Sequence, residues 1–378
     1  MKKIEAEIVA NSINQQGDGL TTYLLTFPKF ILAELNTHRV FSKNSASSRA
    51  IPFEKMVKMV KEDPFIPIAW QKDHKGMQGS EYAQYPDIED FKVIWLEARD
   101  NAIKSAQLAQ TGRVKLTKQL CNRLLEPFMW HTVLLTGTEF KNFFELRCPQ
   151  YGNDEQGYFK SKKDALRHLQ GRSVDITNLL KSTDIEWQKI NKSQAEIHMQ
   201  ALAEAMYDAY NESTPKLLKE GEWHIPFGDK FDKREIDKFA WITNKGRNLS
   251  PIDTEIAVAS ARCARLSYMT FDGEIDYEKD IKLHDSLLKS GHMSPFEHCA
   301  RAMSNDEYYS FIKGKVPTQR DEYGILNYEY YPYSDGVTNR DGVLWMGFNG
   351  ANPNNGDRFG WCNNFRGFVQ YRYLIEHQ

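Results

Sequence analysis

Residues 37–49 read THRVFSKNSASSR, so His38 and Arg39 begin a polar stretch that ends at Arg49. Small hydroxyl and amide side chains fill the stretch from Ser42 onward, and such residues favour irregular backbone over helix. The planar fork of arginine suits phosphate, and the N–H groups of a loop can complete an anion cradle. An ordinary helix end with surface charges explains the spacing equally well, because short polar motifs recur by chance.

The residues before this stretch predict a hairpin followed by a helix. Short β-type runs at residues 4–9 and 20–26 flank the turn-rich residues 14–19. Apolar residues then recur at three- and four-residue steps over residues 27–35, which is the period of an amphipathic helix. We expect that helix to deliver residues 37–39 at its carboxyl end.

The same period predicts more helices further along the chain. Residues 365–372 repeat the aromatic and basic character of residues 27–39, so we expect a strand-plus-helix unit at both ends of the chain. Residues 149–157 and 305–357 are polar and rich in Gly and Tyr, which is typical of insertions and long functional loops. The predicted helices are residues 88–108, 115–125, 139–146, 194–210, 256–266 and 277–289.

Composition excludes several classes of protein. The chain has 378 residues, of which 41% are hydrophobic, so it can bury a sizeable core. A formal charge of -2 gives no general attraction for nucleic acid or anionic membrane, and no apolar run is long enough to span a bilayer. The five cysteines are scattered and lack CxxC spacing, so neither a disulfide framework nor a zinc ribbon is indicated. We expect a cytoplasmic protein that binds neither nucleic acid nor membrane.

Residues 292–298 read HMSPFEH and place two histidines and a carboxylate within a short segment. A metal-dependent hydrolase built on His292, Glu297 and His298 is one interpretation, but the spacing lacks the HExxH pattern that puts two ligands on one helical face. The alternative is a structural histidine beside a capping box, in which Ser294 is the N-cap and Glu297 follows three residues later.

Arg123 and Arg147 each stand in an apolar setting, within the sequences NRLLEP and NFFELR. A partly buried arginine needs an anion, a carbonyl or an aromatic partner, so each predicts an internal ion pair or a ligand site. Cys148 follows Arg147, and a neighbouring guanidinium can activate a thiol, but the sequence indicates no partnered base. We therefore expect Cys148 to be a buried, inert thiol.

Together these segments resemble the flavin-dependent thymidylate synthases. The signature of that family is Arg-His-Arg, seven residues and then Ser, which stands here as Thr37-His38-Arg39 followed by Ser47. Residues 122–127 resemble the family's Arg-x-x-Leu-Pro segment, and residues 142–147 resemble its Asn-Phe-Leu-x-Leu-Arg segment. Residues 194–197 resemble the Ala-Gln-x-Glu-Ile helix that follows.

Two more segments resemble family sequences that normally precede the signature, namely residues 264–267 and 290–298. The order is therefore permuted, as it is in some enlarged phage-encoded members. The resemblance implies an α+β fold, a single large permuted catalytic domain over residues 1–378 with a mixed or antiparallel sheet, helices and insertions. Its parts are a signature-loop segment (1–60), a helical nucleotide and flavin segment (113–212), a segment that is amino-terminal in the usual order (251–303), and an insertion plus carboxyl-terminal helix (304–378).

The resemblance also implies an activity: methylation of dUMP to dTMP by a methyltransferase that uses FAD, NADPH and methylene-tetrahydrofolate. The enzyme would be a homotetramer whose active sites are shared between subunits, and no metal is implied. Uracil C5 becomes nucleophilic as negative charge enters the ring, and Arg147, the implied catalytic residue, would stabilise that charge. By resemblance, His38, Arg39, Asn142, Ser294, Ser267 and Glu297 face the flavin, and Ser47, Ser48, Arg49, Arg123 and Arg147 bind dUMP.

Three positions of the implied substrate site depart from the family pattern. Thr37 stands where the family has arginine, Glu34 where it has glutamine, and Ser45 where it has a carboxylate. One hypothesis is that Gln370 and Arg372, near the carboxyl terminus, supply the missing glutamine and arginine across the permuted junction.

Three other functions remain open at this point. The same scaffold could carry a hydroxymethylase acting on dUMP or dCMP, which needs the folate but no reducing hydride. The metal-dependent hydrolase described above is a second alternative. A nucleotide-binding protein that has lost turnover is a third, and the three departures favour it.

Overall fold

The computed structural model describes residues 2–75, 79, 81–153, 157–169, 183–190, 193–243, 249–268, 276–311, 315–320, 326–330, 337–338, 344–345 and 359–377. These residues form an α+β fold, as predicted. The strands are β1 (Glu5–Ile13), β2 (Gly19–Pro28), β3 (Ser42–Ser45), β4 (Trp130–Gly137), β5 (Tyr151–Asn153), β6 (Gly157–Phe159), β7 (Lys216–Leu217), β8 (Trp223–His224), β9 (Ala300–Ala302), β10 (Lys315–Arg320), β11 (Leu326–Tyr330), β12 (Val337–Thr338), β13 (Leu344–Trp345), β14 (Trp361–Cys362), β15 (Phe365–Arg366) and β16 (Phe368–Gln370).

All six helices predicted after residue 80 are present, most with ends within three residues of the predicted ones, but the helix predicted for residues 256–266 begins five residues earlier, at Pro251. Short 3-10 turns lie at Lys29–Ile31, Glu126–Phe128, Gly228–Lys230 and Ser294–Glu297. No helix in the described ranges is long and apolar enough to cross a membrane. The helices are α1 (Leu32–Asn36), α2 (Phe53–Glu62), α3 (Asp87–Thr111), α4 (Lys118–Arg123), α5 (Lys141–Arg147), α6 (Lys162–Leu169), α7 (Asp184–Ile190), α8 (Ile197–Glu212), α9 (Lys233–Thr243), α10 (Pro251–Tyr268), α11 (Tyr277–Ser290), α12 (Asn305–Ser310) and α13 (Tyr371–Glu376).

A mixed sheet forms the centre of the molecule. Among the described residues it has five strands in the order β3-β4-β2-β1-β7, antiparallel except where β1 runs parallel to β7. The predicted hairpin is confirmed as β1 and β2, and Gly17, at φ +89°, lies in the turn between them. Helix α1 begins later than predicted, because β2 continues to Pro28 and a 3-10 turn precedes the helix.

Each face of this sheet covers its own hydrophobic core, since successive side chains of a strand point to opposite faces. Val133 and Leu135 on β4 pack with α5 and α8, where Leu202 is fully buried. Leu134, between them, packs on the other face with α10, for example with Val258. The polar residues of β3 and β4 that share the Leu134 face therefore point toward α10 and the segments that follow it in the chain.

A second, smaller sheet lies over that face. It contains β16, β9 and β8, in that order, and the strand β16 leads directly into α13. This confirms the strand-plus-helix unit predicted at the carboxyl end. The unit contacts the β1–β2 turn, where Asn14 Nδ2 donates to the carbonyl oxygen of Gly367 at 3.0 Å. Gly367 has φ +75°, and a Cβ there would meet Asn14 Nδ2 at 2.1 Å, so the close approach requires glycine.

The prediction of irregular backbone from Ser42 to Arg49 was wrong for the first half of the stretch. Ser42–Ser45 form strand β3, which pairs antiparallel with β4 from Ser42 opposite Thr136 to Ser45 opposite Val133. The hydrogen bonds offered by the edge of β4 outweigh the local preference of Ser and Asn for turns. Much of the predicted loop at residues 305–357 lies outside the described residues.

Candidate functional site

Arg147 lies at the carboxyl end of α5 and reaches the carboxyl end of α1. Its Nε donates to His38 Nε2 at 3.0 Å, and its Nη2 donates to Thr37 Oγ1 at 3.3 Å. Its Nη1 lies 3.8 Å from Glu34 Oε2. Three side chains of the signature segment therefore hold one guanidinium, and Thr37 contacts Arg147 where the family would have a second cation.

His38 is a neutral imidazole in this arrangement. Burial, together with the positive charges of Arg147 and Lys43, lowers the pKa of His38 to about 4. A neutral ring accepts the Arg147 hydrogen bond on Nε2, whereas a protonated ring has no lone pair to offer there. The imidazole consequently fixes the direction of Arg147 without competing for a negatively charged ligand.

Burial, followed by repulsion from Glu196, raises the pKa of Glu34. Glu34 therefore holds a proton more readily than a surface glutamate does, and its Oε2 lies 3.8 Å from Arg147 Nη1. The departure from glutamine to glutamate at this position thus introduces an acid that shares its environment with the arginine.

The sequence gave no reason to single out Lys43. Its Nζ donates to the carbonyl oxygen of His38 at 2.7 Å, and burial lowers its pKa to about 8. A lysine in a polar stretch looks like an ordinary surface charge. Residues 42–45 pair as a strand, so Ser42 and Asn44 point to one face and Lys43 points to the other. Only this pairing reveals that Lys43 lies under α1.

The second half of the signature stretch forms a turn that α4 holds in place. Asn122 Nδ2 donates to the carbonyl oxygens of Ser48 and Ile51, at 2.7 and 3.0 Å. The Ser48 hydroxyl is buried and donates to Glu126, so it is engaged within the protein.

Two of the implied phosphate-binding arginines border this turn. Arg49 and Arg123 are exposed, and neither makes an ion pair within the described part of the chain. The apolar setting expected for Arg123 is therefore wrong, because α4 turns the side chain to solvent. Ser47 is partly buried in the same turn.

Ser45 faces the interior. Its Oγ lies 2.9 Å from His131 Nε2, and Lys29 Nζ lies 3.4 Å from the same nitrogen. Burial and the charge of Lys29 lower the pKa of His131 to about 3, so this imidazole is neutral. Ser45 thus belongs to a small buried polar group at the end of β4.

The implied flavin residues occupy several elements around the signature segment. Ser294 is exposed on its 3-10 turn, Arg39 is exposed after α1, and Asn142 is partly buried on α5. Ser267 lies on α10, but its side chain lies outside the described residues. Exposed Arg39 and the exposed hydroxyl of Ser294 fit a phosphate-bearing, anionic cofactor such as FAD.

Glu297 on the Ser294–Glu297 turn and Arg372 on α13 contact each other. Arg372 Nη1 donates to Glu297 Oε1 at 2.6 Å, and Arg372 Nε donates to Glu376 Oε1 at 2.9 Å. The capping-box interpretation of this segment is wrong, because Met293 is the N-cap of the turn and no side chain caps it. Helix α13 is therefore tied to the Ser294–Glu297 turn by an ion pair.

Gln370 is buried and joins the carboxyl-terminal strand to the signature strand. Its Nε2 donates to Asn364 Oδ1 at 2.7 Å and to Ser42 Oγ at 3.4 Å, and its Oε1 accepts from Asn363 Nδ2 at 2.9 Å. Asn364 Nδ2 in turn donates to Ser42 Oγ at 3.0 Å. Asn44 extends the contact by donating to the carbonyl oxygen of Cys263 on α10 at 3.3 Å.

The structure does not support a reactive thiol at Cys148 or a metal centre at His292, Glu297 and His298. Cys148 is buried, and burial raises the pKa of its thiol well above the usual value, which confirms the expected inert thiol. Among the described residues, no group of three His, Cys, Asp or Glu side chains is placed to hold a metal ion. His298 is buried while His292 is exposed, and Glu297 is paired with Arg372, so these three do not form a hydrolase metal centre.

A cavity of about 590 Å³ lies away from these residues. It is bordered by the amino terminus, α6 and α8, with Trp130, Lys162 and Glu204 in its wall. None of the implied flavin or dUMP residues lines it. The candidate residues instead meet in two places, where Arg147 contacts residues 34–38 and where α4 contacts the signature turn.

Comparisons with known proteins neither support nor contradict the expected function. No protein-family model matches the chain. No curated protein matches it either. Two solved structures are similar to parts of it, both described as the UMP/dUMP methylase PolB from Streptomyces cacaoi. The one bound with 5-Br UMP has 15% sequence identity, covers 56% of this chain and 90% of its own, and gives a TM-score of 0.37. The one bound with 5-Br dUMP has 13% identity over 56% of this chain and 91% of its own, with a TM-score of 0.35. TM-scores this low do not establish a shared fold, and nothing about function is concluded from them.

Proposed function

We propose that this chain is a flavin-dependent thymidylate synthase that methylates dUMP to dTMP, using FAD, NADPH and methylene-tetrahydrofolate. The observation that carries the proposal is the convergence of segments that are distant and permuted in the sequence. The signature segment contacts Arg147 of α5, Asn122 of α4, and Gln370 of the carboxyl-terminal unit. The family resemblance predicts that these segments meet. Nothing in the local sequence of any one segment predicts these contacts.

Arg147 is the residue we assign to the uracil ring. When uracil C5 attacks a one-carbon unit, negative charge develops on the ring carbonyls and N3, and a fixed guanidinium stabilises it. Neutral His38 accepts a hydrogen bond from Arg147 Nε. The two terminal nitrogens of Arg147 point toward Thr37 and Glu34. Rigid support of this kind lowers the cost of orienting the charge during the reaction.

Arg49 and Arg123 are the residues we assign to the dUMP phosphate. Both are exposed, and the Asn122 hydrogen bonds to the signature turn hold their two segments side by side. Arginine binds phosphate through two parallel N–H donors, and neither side chain has an ion-pair partner among the described residues, which leaves those donors available. Glu34 and Thr37 do not supply cations, so the phosphate would lie nearer the signature turn than Arg147.

FAD supplies the hydride that reduces the transferred carbon. Arg39, Asn142 and Ser294 would bind it, with His38, Ser267 and Glu297 as further contacts. In the proposed arrangement, Gln370 and Arg372 act by holding the Ser294–Glu297 turn and the signature strand together, through the contacts described above.

A homotetramer with shared sites forms part of the proposal. Helices α3 and α4 carry exposed apolar side chains, including Ile94, Leu108 and Leu120. Apolar side chains grouped on neighbouring helices are typical of surfaces that another subunit covers. Light scattering on the purified protein measures the mass of the assembly directly, and a monomer would contradict this part.

The decisive experiment is the visible spectrum of the purified protein followed by product analysis. We expect flavin absorption bands, and dTMP formed from dUMP and methylene-tetrahydrofolate only when NADPH is present. A 5-hydroxymethyl product that forms without NADPH would assign the hydroxymethylase alternative, on dUMP or on dCMP. Binding of dUMP without any turnover would assign the inactive nucleotide-binding protein, and a colourless protein that takes up neither FAD nor dUMP would exclude all three.

A further inference from the structure

A chain of buried side chains connects the two sheets. Thr136 Oγ1 lies 2.7 Å from His298 Nδ1 and 2.8 Å from Thr22 Oγ1. Thr22 Oγ1 also lies 2.8 Å from His224 Nε2, whose Nδ1 is 2.8 Å from Ser12 Oγ. The hydroxyls come from the central sheet, and the imidazoles come from β8 and from the segment just before β9.

Each member of this chain has one proton to give. Burial lowers the pKa of His298 to about 3, and burial together with the charge of His298 lowers the pKa of His224 to about 3, so both imidazoles are neutral. A neutral imidazole has one N–H and one bare nitrogen, and a hydroxyl has one O–H. In one arrangement every O–H and N–H is used within the chain, so that each interior member donates once and accepts once. The four bonds then all point the same way along the chain.

This condition couples the two histidines. If the bonds point from Ser12 toward His298, both imidazoles carry their proton on Nε2. If the bonds point the other way, both carry it on Nδ1. The chain thus has two fully bonded states, and they differ by the passage of one proton from end to end.

The two ends of the chain have different surroundings. His298 Nε2 is buried and has no hydrogen-bond partner among the described residues. A buried nitrogen without a partner costs about 1–3 kcal/mol, so a donor brought to this end of the chain would be stabilised by it. His298 directly follows Glu297, on the turn assigned above to the flavin. Ser12, at the other end, lines a cavity of about 460 Å³ that also includes the exposed side chains of Asp229 and Lys233.

We propose that Ser12, His224, Thr22, Thr136 and His298 form a proton relay that carries a proton from the bound ligand to water in the Ser12 cavity. His298 Nε2 receives the ligand's proton, while its Nδ1–H passes to Thr136 and the Thr136 hydroxyl proton passes to Thr22. The Thr22 proton passes to His224 Nε2, the His224 Nδ1–H passes to Ser12, and the Ser12 hydroxyl proton passes to water. No member gains net charge when these transfers are concerted.

The relay rests on the proposed function for the identity of the proton. Uracil C5 loses its hydrogen as a proton when the one-carbon unit is attached, and the bonding electrons remain on the ring. A general base that removes such a proton typically accelerates a reaction by about 10²–10⁴. A buried path to water would let the site stay closed to solvent while this proton leaves.

The test compares Thr136→Val, which breaks the relay at its centre, with a matched control. Thr21→Val removes a hydroxyl of the same kind from the neighbouring strand β2, where Thr21 Oγ1 donates to Asn11 Oδ1 outside the relay. We expect Thr136→Val to lower kcat at least about tenfold with little change in KM for dUMP, and Thr136→Ser to restore most of the loss. Ser12→Ala, at the far end, should also lower kcat and change the solvent isotope effect.

A purely structural tie between the sheets predicts a different result. In that case Thr136→Val and Thr21→Val lower the melting temperature alike and neither lowers kcat, which would overturn the relay. Nitrogen NMR of the two imidazoles gives a test that needs no turnover: wild-type His224 and His298 must share one tautomer. Unlike tautomers overturn the relay even in an active enzyme, whereas shared tautomers in a protein that makes no dTMP leave the chain standing and remove the proposed function.

Discussion

The two strand-plus-helix units at the ends of the chain are built alike but neutralise their cations differently. At the amino-terminal unit the cation is Arg147, whose neighbours are a neutral imidazole, a hydroxyl and one carboxylate 3.8 Å away. At the carboxyl-terminal unit the cation is Arg372, which is paired with both Glu297 and Glu376. Arg147 therefore keeps positive charge available for a ligand, whereas the charge of Arg372 is largely balanced within the protein.

This difference teaches that the position of an arginine beside such a unit does not assign its role, whether it comes from α5, as Arg147 does, or from the unit itself, as Arg372 does. The role follows from what each cation contacts once the chain has folded. An arginine whose partners are mostly neutral can bind an anion, and an arginine held by two carboxylates mainly fixes the geometry of its surroundings. Substitutions at the two units should separate these roles.

The largest effect is expected for Arg147→Met. Loss of a fixed charge that stabilises a developing anion typically lowers kcat by about 10²–10³. The measurement is the rate of dTMP formation at saturating dUMP, with the flavin content of each preparation determined from its spectrum. Arg372→Met is the matched control, because it removes the same group from the other unit. A fall in kcat that is equal for both variants would contradict the distinction between the two arginines.

A smaller effect, on flavin binding, is expected for Arg372→Ala. The substitution leaves Glu297 without its 2.6 Å partner, so an uncompensated carboxylate remains on the turn assigned to the flavin. We expect several-fold weaker retention of FAD, measured by gel filtration and absorbance, because a carboxylate repels the anionic cofactor.

The companion variants show whether charge is the cause. Glu297→Gln combined with Arg372→Ala removes the unpaired carboxylate and should restore most of the flavin content.

Gln370→Ala tests the other half of the hypothesis about the permuted junction, since it leaves the Asn363 and Asn364 side chains and Ser42 without their shared partner. Unchanged flavin content and dUMP affinity in both single variants would remove that hypothesis.

The sequence predicted much of this architecture where local signals are strong. Alternation and turn residues indicated the β1–β2 hairpin, and the period of apolar residues indicated α3, α8 and α10. The position of Thr37 and His38 at the end of α1 followed from the same period. Local sequence could not predict that Ser42–Ser45 form a strand, because the hydrogen bonds that stabilise it belong to β4, almost ninety residues away.

The proton relay could not be predicted for a related reason. Thr22 and Thr136 are ordinary strand residues in the sequence, and only the register of β2 against β4 places them opposite each other. His224 and His298 lie far apart in the chain and meet these hydroxyls only after the small sheet packs on the large one. Lys43 was missed because its low pKa depends on burial beneath α1, which no spacing reveals.

The smallest expected effect concerns Lys43 and sharpens the account of Arg147. The pKa of His38 is lowered first by burial and then by the charges of Arg147 and Lys43, so removing one charge should raise it. We expect Lys43→Met to shift the NMR titration of His38 upward from about 4, while the imidazole stays neutral at pH 7 and dTMP formation changes less than in Arg147→Met. Because the folded-state pKa of His38 lies below its unfolded value, its contribution to stability is present above pH 6.5 and is lost as the pH falls toward 4. In the variant the folded-state pKa of His38 should be higher, so the pH range over which its contribution to stability is lost should be narrower at the acidic end. The free energies of unfolding in urea at pH 7 and pH 5 measure this change. An unshifted His38 titration would mean that the Lys43 ammonium does not act on the imidazole that orients Arg147.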